Sequence, residues 1–463
     1  MSSSIGSSST GSASTDVSRA SSASPGAAAA MPERIGILAG GGKLPALIAD
    51  SVIARGGSVH IVGVEGEADD SITAYPHTWV NWGQVGRMLR TLRTEGGGQM
   101  VIAGSVKRPN LSRLRPDFGF FRVLTQVLRM LAGGDDSVLS RVVRVFELNG
   151  VTVRGAHEVA PNLLVPDGVL GAVAMSPEAM ADAGLALAVR EALAPLDAGQ
   201  AVIVCEGRVL ALEGAESTDA MLQRVAQMRS GQTSPPRGIL SKGPKPGQEL
   251  RVDMPVIGAR TIDGLQAAGL AGVVVETGKV LLLEKDEAIR KADAAGIFVG
   301  AVRPERLPRG ALPAQTPVPA IGACVGRVAP AARDVADIEK GLAAVTRLAP
   351  LGTGKGAVVA RAYVLGLEAE EGVAAMLKRT AALRQWGLGK KRRVGVLVRR
   401  LDATEDIAAA RAVLREAAAQ GLAGVAVCGA DAATQVYDGA GPIADELGIF
   451  LVVCAAREAG ASR

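Results

Sequence analysis

RIGILAGGGKLPALIADSVIARGGSVHIVGV, residues 34 to 64, is the stretch on which the fold turns. RIGILAGGG (34–42) is a short apolar run ending in glycines, KLPALIADSVIARGG (43–57) has helical periodicity up to a Gly-Gly pair, and SVHIVGV (58–64) is a second apolar run. Short β-branched runs bounded by glycine read as buried strands. A helix between two of them is a crossover that pairs its strands in parallel. The alternation continues through a helix at about 83–95, a strand QMVIAGSV (99–106) and two helices ending near Leu148. Residues 34–155 are therefore expected to form a Rossmann-like parallel-sheet domain with helices on both faces.

Composition agrees with an α/β chain of more than one domain. At 463 residues the chain is too long for one ordinary core, and 48% apolar with only 3% aromatic residues means cores of Ala, Val, Leu and Ile. A net charge of +5, with basic residues interspersed among acids, argues against a nucleic-acid partner. Two basic concentrations stand out, KRPNLSRLRPDFGFFR (107–122) and GKKRR (389–393). Each reads as a phosphate or anionic-membrane contact, or as a solvated face. Cys205, Cys324, Cys428 and Cys454 are far apart and show no zinc-ligand spacing, which predicts a reducing compartment. No run approaches the roughly 18–20 apolar residues that span a bilayer. Residues 1–33, rich in Ser and Ala, read as a disordered tail, with Met31 an alternative start.

Beyond residue 155 the pattern shifts to a mixed α/β domain, 156–303. AVIVCEGRVLALEG (201–214) reads as a hairpin turning at Glu206-Gly207, followed by a helix that Ser217, Thr218 or Asp219 caps. GVVVETGKVLLLE (272–284) reads as a second hairpin turning at Thr277-Gly278, then a helix ending at Gly296 and a strand IFVGAV (297–302). A Pro-rich linker, 304–320, follows. The remainder, 321–463, repeats the second domain. LAPLDAGQAVIVCEGRVLALEGAESTDAMLQRV (193–225) matches 348–380 without gaps at 15 of 33 positions, and 270–301 matches 422–453 at 12 of 32. Two matches in the same order identify a diverged duplicate. Between the matched blocks the first copy carries GILSKGPKPGQELRVDMPVIG (238–258), where the second has GVLVRRLDATEDIAAARA. A segment kept in only one copy is less demanded by the fold, and so a candidate for function.

That segment places Lys242 and Lys245 on a loop stiffened by Pro244 and Pro246, a pattern suited to phosphate or diphosphate. Arg251 and Asp253 alternate on an expected strand end and so face one way. Asp253 can coordinate Mg²⁺ beside phosphate oxygens, orient a water, or cap a helix after Pro255. In the first domain GILAGGGKLP matches a dinucleotide fingerprint only in part, because Pro45 stands where the third glycine belongs. Backbone N–H groups of Gly41, Gly42 and Lys43 at a helix start can hold an anion. Asp135 and Asp136 of GGDD are candidate metal ligands or a helix cap, and His157 of GAHE is an acid/base or hydrogen-bonding candidate or a structural histidine.

Taken in order, GILAGGGKLP, AGSVKRPNL, GDD, GAHE, LDAGQAVIVCEGRVLALEG and KGPKPGQELRVDMPVIG resemble the UDP-2,3-diacylglucosamine pyrophosphatase family of lipid A biosynthesis, of the single-chain, two-domain type. The resemblance covers about residues 34–302. It implies Mg²⁺-dependent hydrolysis, with Mn²⁺ as an alternative ion, by water attack on the α-phosphate, giving UMP and 2,3-diacylglucosamine 1-phosphate (lipid X). It assigns turnover to the aspartate matching Asp253 and implies an acylated UDP-sugar held between two domains. The expected location is the cytoplasm, peripheral on the cytoplasmic face of the inner membrane. The extra copy has no place in that pattern. It is expected to mimic a second subunit, or the chain is an oligomer. A non-catalytic nucleotide-sugar-binding module and, against Pro45, a nicotinamide-dependent dehydrogenase are the competing readings.

Overall fold

The computed structural model describes residues 34–106, 114–131, 138–231, 235–309, 316–384, 393–402 and 405–454. In the first domain β1 (Arg34–Ala39), β2 (Ser58–Val64), β3 (His77–Val80), β4 (Gln99–Ala103) and β5 (Thr152–Arg154) form one parallel sheet in the order β3-β2-β1-β4-β5. Alternation along β1 sends Ile35 and Ile37 to one face and Leu38 to the other, each into its own core. α1 (Leu44–Ala54) and α5 (Ala156–Val159) cover the first face, through Ile48, Val52 and Val159. α2 (Val85–Thr94), α3 (Phe118–Leu131) and α4 (Val138–Leu148) cover the second, through Leu89, Val123 and Phe146. The Rossmann-like arrangement expected from residues 34–64 is the one observed.

The second domain is a mixed sheet in the order β6-β13-β11-β9-β7-β8. Its strands are β6 (Gly168–Leu170), β7 (Ala201–Cys205), β8 (Arg208–Leu212), β9 (Ile239–Lys242), β11 (Gly272–Glu276) and β13 (Phe298–Val302). Helix α6 (Pro177–Leu193) covers one face; α7 (Thr218–Met228), α8 (Ala259–Ala267) and α9 (Lys285–Ala294) cover the other. Ser217 is the residue that caps α7, its hydroxyl accepting from Ala220 N–H at 3.2 Å. The expected hairpin over 272–284 does not form. β12 (Leu281–Leu283) leaves the main sheet and pairs in parallel with β10 (Val256–Gly258), and this two-stranded ribbon packs into the first domain's core through Leu281, Val256 and Met254. A period-2 pattern sets which face a strand buries but not its partner, and this partner lies upstream of β11.

Among its described residues the third domain repeats the plan without that ribbon. Its sheet is β15-β14-β16-β17-β18, built from β14 (Gly356–Ala360), β15 (Tyr363–Leu367), β16 (Val396–Arg400), β17 (Gly424–Cys428) and β18 (Phe450–Cys454). α10 (Ala332–Leu348) stands where α6 does, and α11 (Gly372–Arg384) where α7 does. Even the irregularity is copied: the β7–β8 pairing slips between Ile203 and Val204, and the β14–β15 pairing between Val358 and Val359.

Both hairpins turn through two left-handed residues, the twist that suits right-twisted strands. Glu206 (φ 53°) and Gly207 (φ 75°) do so in the second domain, Arg361 (φ 53°) and Ala362 (φ 62°) in the third. A carboxylate from the covering helix holds each turn: Asp182 accepts from Glu206 N–H (3.0 Å) and Gly207 N–H (2.7 Å), Asp337 from Arg361 N–H (3.0 Å) and Ala362 N–H (2.7 Å). Alanine in the left-handed region costs about 1 kcal/mol that glycine avoids. Ala362→Gly is therefore expected to raise the melting temperature by roughly 2–4 °C, and Gly207→Ala to lower it by a similar amount, measured by calorimetry.

Candidate active site

In a sheet ordered β3-β2-β1-β4-β5 the chain reverses direction of travel between β1 and β4, and open α/β sheets bind ligands outside the carboxyl ends of the strands at that point. Here the loops after β1 and β4 are stitched together. Gly41 and Ser105 exchange two backbone hydrogen bonds of 2.8 Å, and a Cβ on Gly40 would lie 2.3 Å from the Ser105 carbonyl, an approach only glycine allows. Against this backbone platform the 250–254 segment of the second domain closes a cavity of about 300 Å³, with Gly42, Lys43 and Ser105 on one side and Arg251, Asp253 and Met254 on the other.

The loop leading to Asp253 is held along its length. Lys242 ends β9, and its buried ammonium donates to the Val256 carbonyl at 2.9 Å. Burial pushes the Lys242 pKa down, against the charges of Glu213, Asp219 and Asp253, and pushes the carboxyl of Glu213 up, against Lys242. Arg190, buried on α6, donates to the Pro244 carbonyl at 2.9 Å and pairs with buried Glu276 at 3.6 Å. Lys245 Nζ reaches the carbonyl and carboxylate of Asp197, both at 3.0 Å. The Gln248 side chain then spans the loop: Oε1 accepts from Lys245 N–H at 2.8 Å, while Nε2 donates to the Asp253 carbonyl at 2.8 Å and its Oδ2 at 2.7 Å.

Arg251 straddles the two domains. It forks onto Glu249 at 2.9 and 2.7 Å and reaches Glu147 of α4 at 2.9 Å. The bond from Arg251 holds the Glu249 carboxylate below its ordinary range. Lys43 makes a second bridge across the cavity, to Glu284 at the start of α9.

The structure corrects several expectations at the level of individual atoms. The N–H groups of Gly41 and Gly42 donate within the protein, to the Ser105 carbonyl and to Asp69 Oδ2 at 2.5 Å, so these residues supply wall rather than open anion donors. The ammonium groups of Lys242 and Lys245 do not line the cavity; they brace the loop behind it. Residues 249–252 form a helical turn rather than a strand end, with Asp253 N–H bonded to the Glu249 carbonyl at 3.0 Å. Asp253 caps no helix, since β10 follows Pro255 and α8 starts from Gly258. His157 lies on α5 with its Nε2 4.0 Å from Glu158, and it does not line the cavity. Asp135 and Asp136 lie outside the described residues. Gln248, Glu249, Glu147 and Glu284 were missed. Gln248 and Glu249 sit inside the quoted loop, whereas nothing local marks Glu147 or Glu284.

The family model for the LpxI N-terminal domain matches residues 34–163, and that for the LpxI C-terminal domain matches twice, at 166–300 and 322–452. The chain belongs to the LpxI family. It is 42% identical over 278 residues to the UDP-2,3-diacylglucosamine pyrophosphatase LpxI of Caulobacter vibrioides, which takes in 59% of this chain and 99% of that relative. The double match establishes the third domain as a second LpxI C-terminal domain. In that copy the positions of Arg190 and Glu276 are Val345 and Cys428, so the buried ion pair behind the loop went together with the loop.

The buried lysine allows a direct check of its bracing role. Lys242→Met is expected to destabilise the protein by about 3 kcal/mol, because it removes the main cationic influence on buried Glu213, and adding Glu213→Leu is expected to recover most of that loss in denaturant titrations. Failure of the double variant to recover would contradict the pairing.

Proposed function

We propose that this chain hydrolyses the diphosphate of UDP-2,3-diacylglucosamine in lipid A biosynthesis, giving UMP and 2,3-diacylglucosamine 1-phosphate. The observation that carries this reading is the 42% identity to a pyrophosphatase of that name over 99% of its length, with the family models matching the two domains that enclose the cavity. In the reaction, water forms the new bond to the α-phosphorus, the bond from that phosphorus to the bridging oxygen breaks, and the bridging oxygen leaves with the sugar phosphate. Asp253 is the residue assigned to turnover: its carboxylate borders the cavity, and Gln248 orients it through one oxygen. Arg251 and Lys43 border the same cavity and supply positive charge to a diphosphate.

Mg²⁺, or Mn²⁺ in its place, is the proposed cofactor. Among the described residues no group of three or more His, Cys, Asp or Glu could hold a metal. A lone Asp253 carboxylate fits an ion whose other ligands are substrate phosphate oxygens and water, the usual way Mg²⁺ is bound beside phosphates. When bound, the ion neutralises charge on the diphosphate.

Acyl chains on the substrate call for access to a lipid surface. Among the described residues no helix is long and apolar enough to cross a membrane. Helix α3 instead leaves Phe118 87% and Phe121 54% exposed, flanked by Arg115 and Arg122, an apolar and basic face suited to an anionic bilayer. We assign it to the cytoplasmic face of the inner membrane.

Asp253→Ala is expected to reduce UMP release by about 10²–10⁴-fold in the presence of Mg²⁺ while UDP-sugar binding persists. Hydrolysis near the wild-type rate would remove Asp253 from the chemistry, and tight binding by the wild-type protein with no metal-dependent UMP release would favour a binding module. Phe118→Ser/Phe121→Ser is expected to weaken flotation with anionic vesicles while leaving hydrolysis of detergent-dispersed substrate unchanged.

A further inference from the structure

The second and third domains meet through a surface that repeats itself. Glu216 and Arg224 of the second domain correspond to Glu371 and Arg379 of the third, each pair 155 residues apart in the gapless match. Arg224 reaches Glu371 at 3.0 Å, and Arg379 reaches Glu216 at 2.5 Å; within each copy the same residues pair at 2.5 and 2.7 Å. Residue i of one copy thus meets residue j of the other, and j meets i. That reciprocity defines a two-fold, isologous contact. The four charges are largely buried, Glu371 to 1% side-chain exposure, and they alternate in sign around the ring.

The apolar part of the contact follows the same rule. Leu193 and Leu348, Val204 and Val359, and Leu212 and Leu367 are equivalent pairs, and all six side chains belong to one continuous core. A linker that merely parked a spare domain would not have to join equivalent surfaces, with both the ion pairs and the core matched about one axis.

We propose that the third domain is a built-in, catalytically silent subunit, occupying the face through which a second copy of the second domain would otherwise pair. The chain then works as one molecule with the internal symmetry of a dimer and a single site. This inference is independent of the hydrolase reading.

The test uses full-length protein in four forms: wild type, Glu216→Arg/Arg224→Glu, Glu371→Arg/Arg379→Glu, and all four substitutions together. Each double variant keeps the pair inside its own domain and sets like charges across the interface, and the quadruple variant restores opposite charges. Light scattering and thermal melting are read for each. Wild type is expected to have the mass of one chain. Each double variant is expected to melt about 5 °C or more lower and to show two-chain species, because the released face pairs with its own kind in another molecule. The quadruple variant is expected to return to one chain and to the wild-type melting point. A wild-type chain that is itself a dimer through this face, double variants that melt like wild type, double variants that melt lower yet remain single chains, or a quadruple variant that is not rescued would each overturn the proposal.

Discussion

One core, shared by α6, β7 and β8 of the second domain and α10, β14 and β15 of the third, constrains the rest of the molecule. A sheet has two faces, and each must be covered. In the second domain α7, α8 and α9 cover one, while α6 covers only part of the other. The third domain completes it. With that side closed, the second domain meets the first through what remains, the β10–β12 ribbon and the 242–258 loop.

This explains what the duplicate kept and what it lost. The hairpin, its left-handed turn, the carboxylate that holds the turn and the slip in strand register belong to the shared face, and all persist. Arg190 and Glu276 back the Lys-Pro loop, whose 250–254 end closes on the first domain, and the third domain has no such neighbour among the described residues. The loss therefore has a structural reason alongside a functional one. Lys242 shows the two mixed: the paired strand position in the third domain is Arg399, near Glu368 as Lys242 is near Glu213, so a buried cation beside a carboxylate is a scaffold feature of both copies.

How much was readable in advance follows from the range of each interaction. The β-loop-α-β unit at 34–64, the turn at Glu206-Gly207, a helix cap among Ser217, Thr218 and Asp219, and the duplication rest on local pattern or direct alignment, and each is legible in the sequence. The N–H groups of Gly41 and Gly42 find their acceptors, Ser105 and Asp69, on distant loops that the local sequence does not reveal. The strand at 281–283 is legible in the sequence but its partner, 256–258, is not, since alternation carries no pairing information. Lys245 looked like a phosphate ligand because a lysine between prolines looks exposed, and its acceptor, Asp197, precedes a different strand. Of the residues lining the cavity, the sequence singles out Gly41, Gly42, Lys43, Arg251 and Asp253 but not Ser105.

The covalent join between the second and third domains changes how their contact responds to dilution. When two separate chains associate, the fraction paired falls as concentration falls, and protomer stability cannot be separated from protein abundance. A tether of this length holds the two faces at an effective concentration on the order of millimolar, whatever the number of molecules in the cell. The contact becomes a property of folding instead of a property of supply, and a chain present in few copies keeps its second domain covered from the moment it is made.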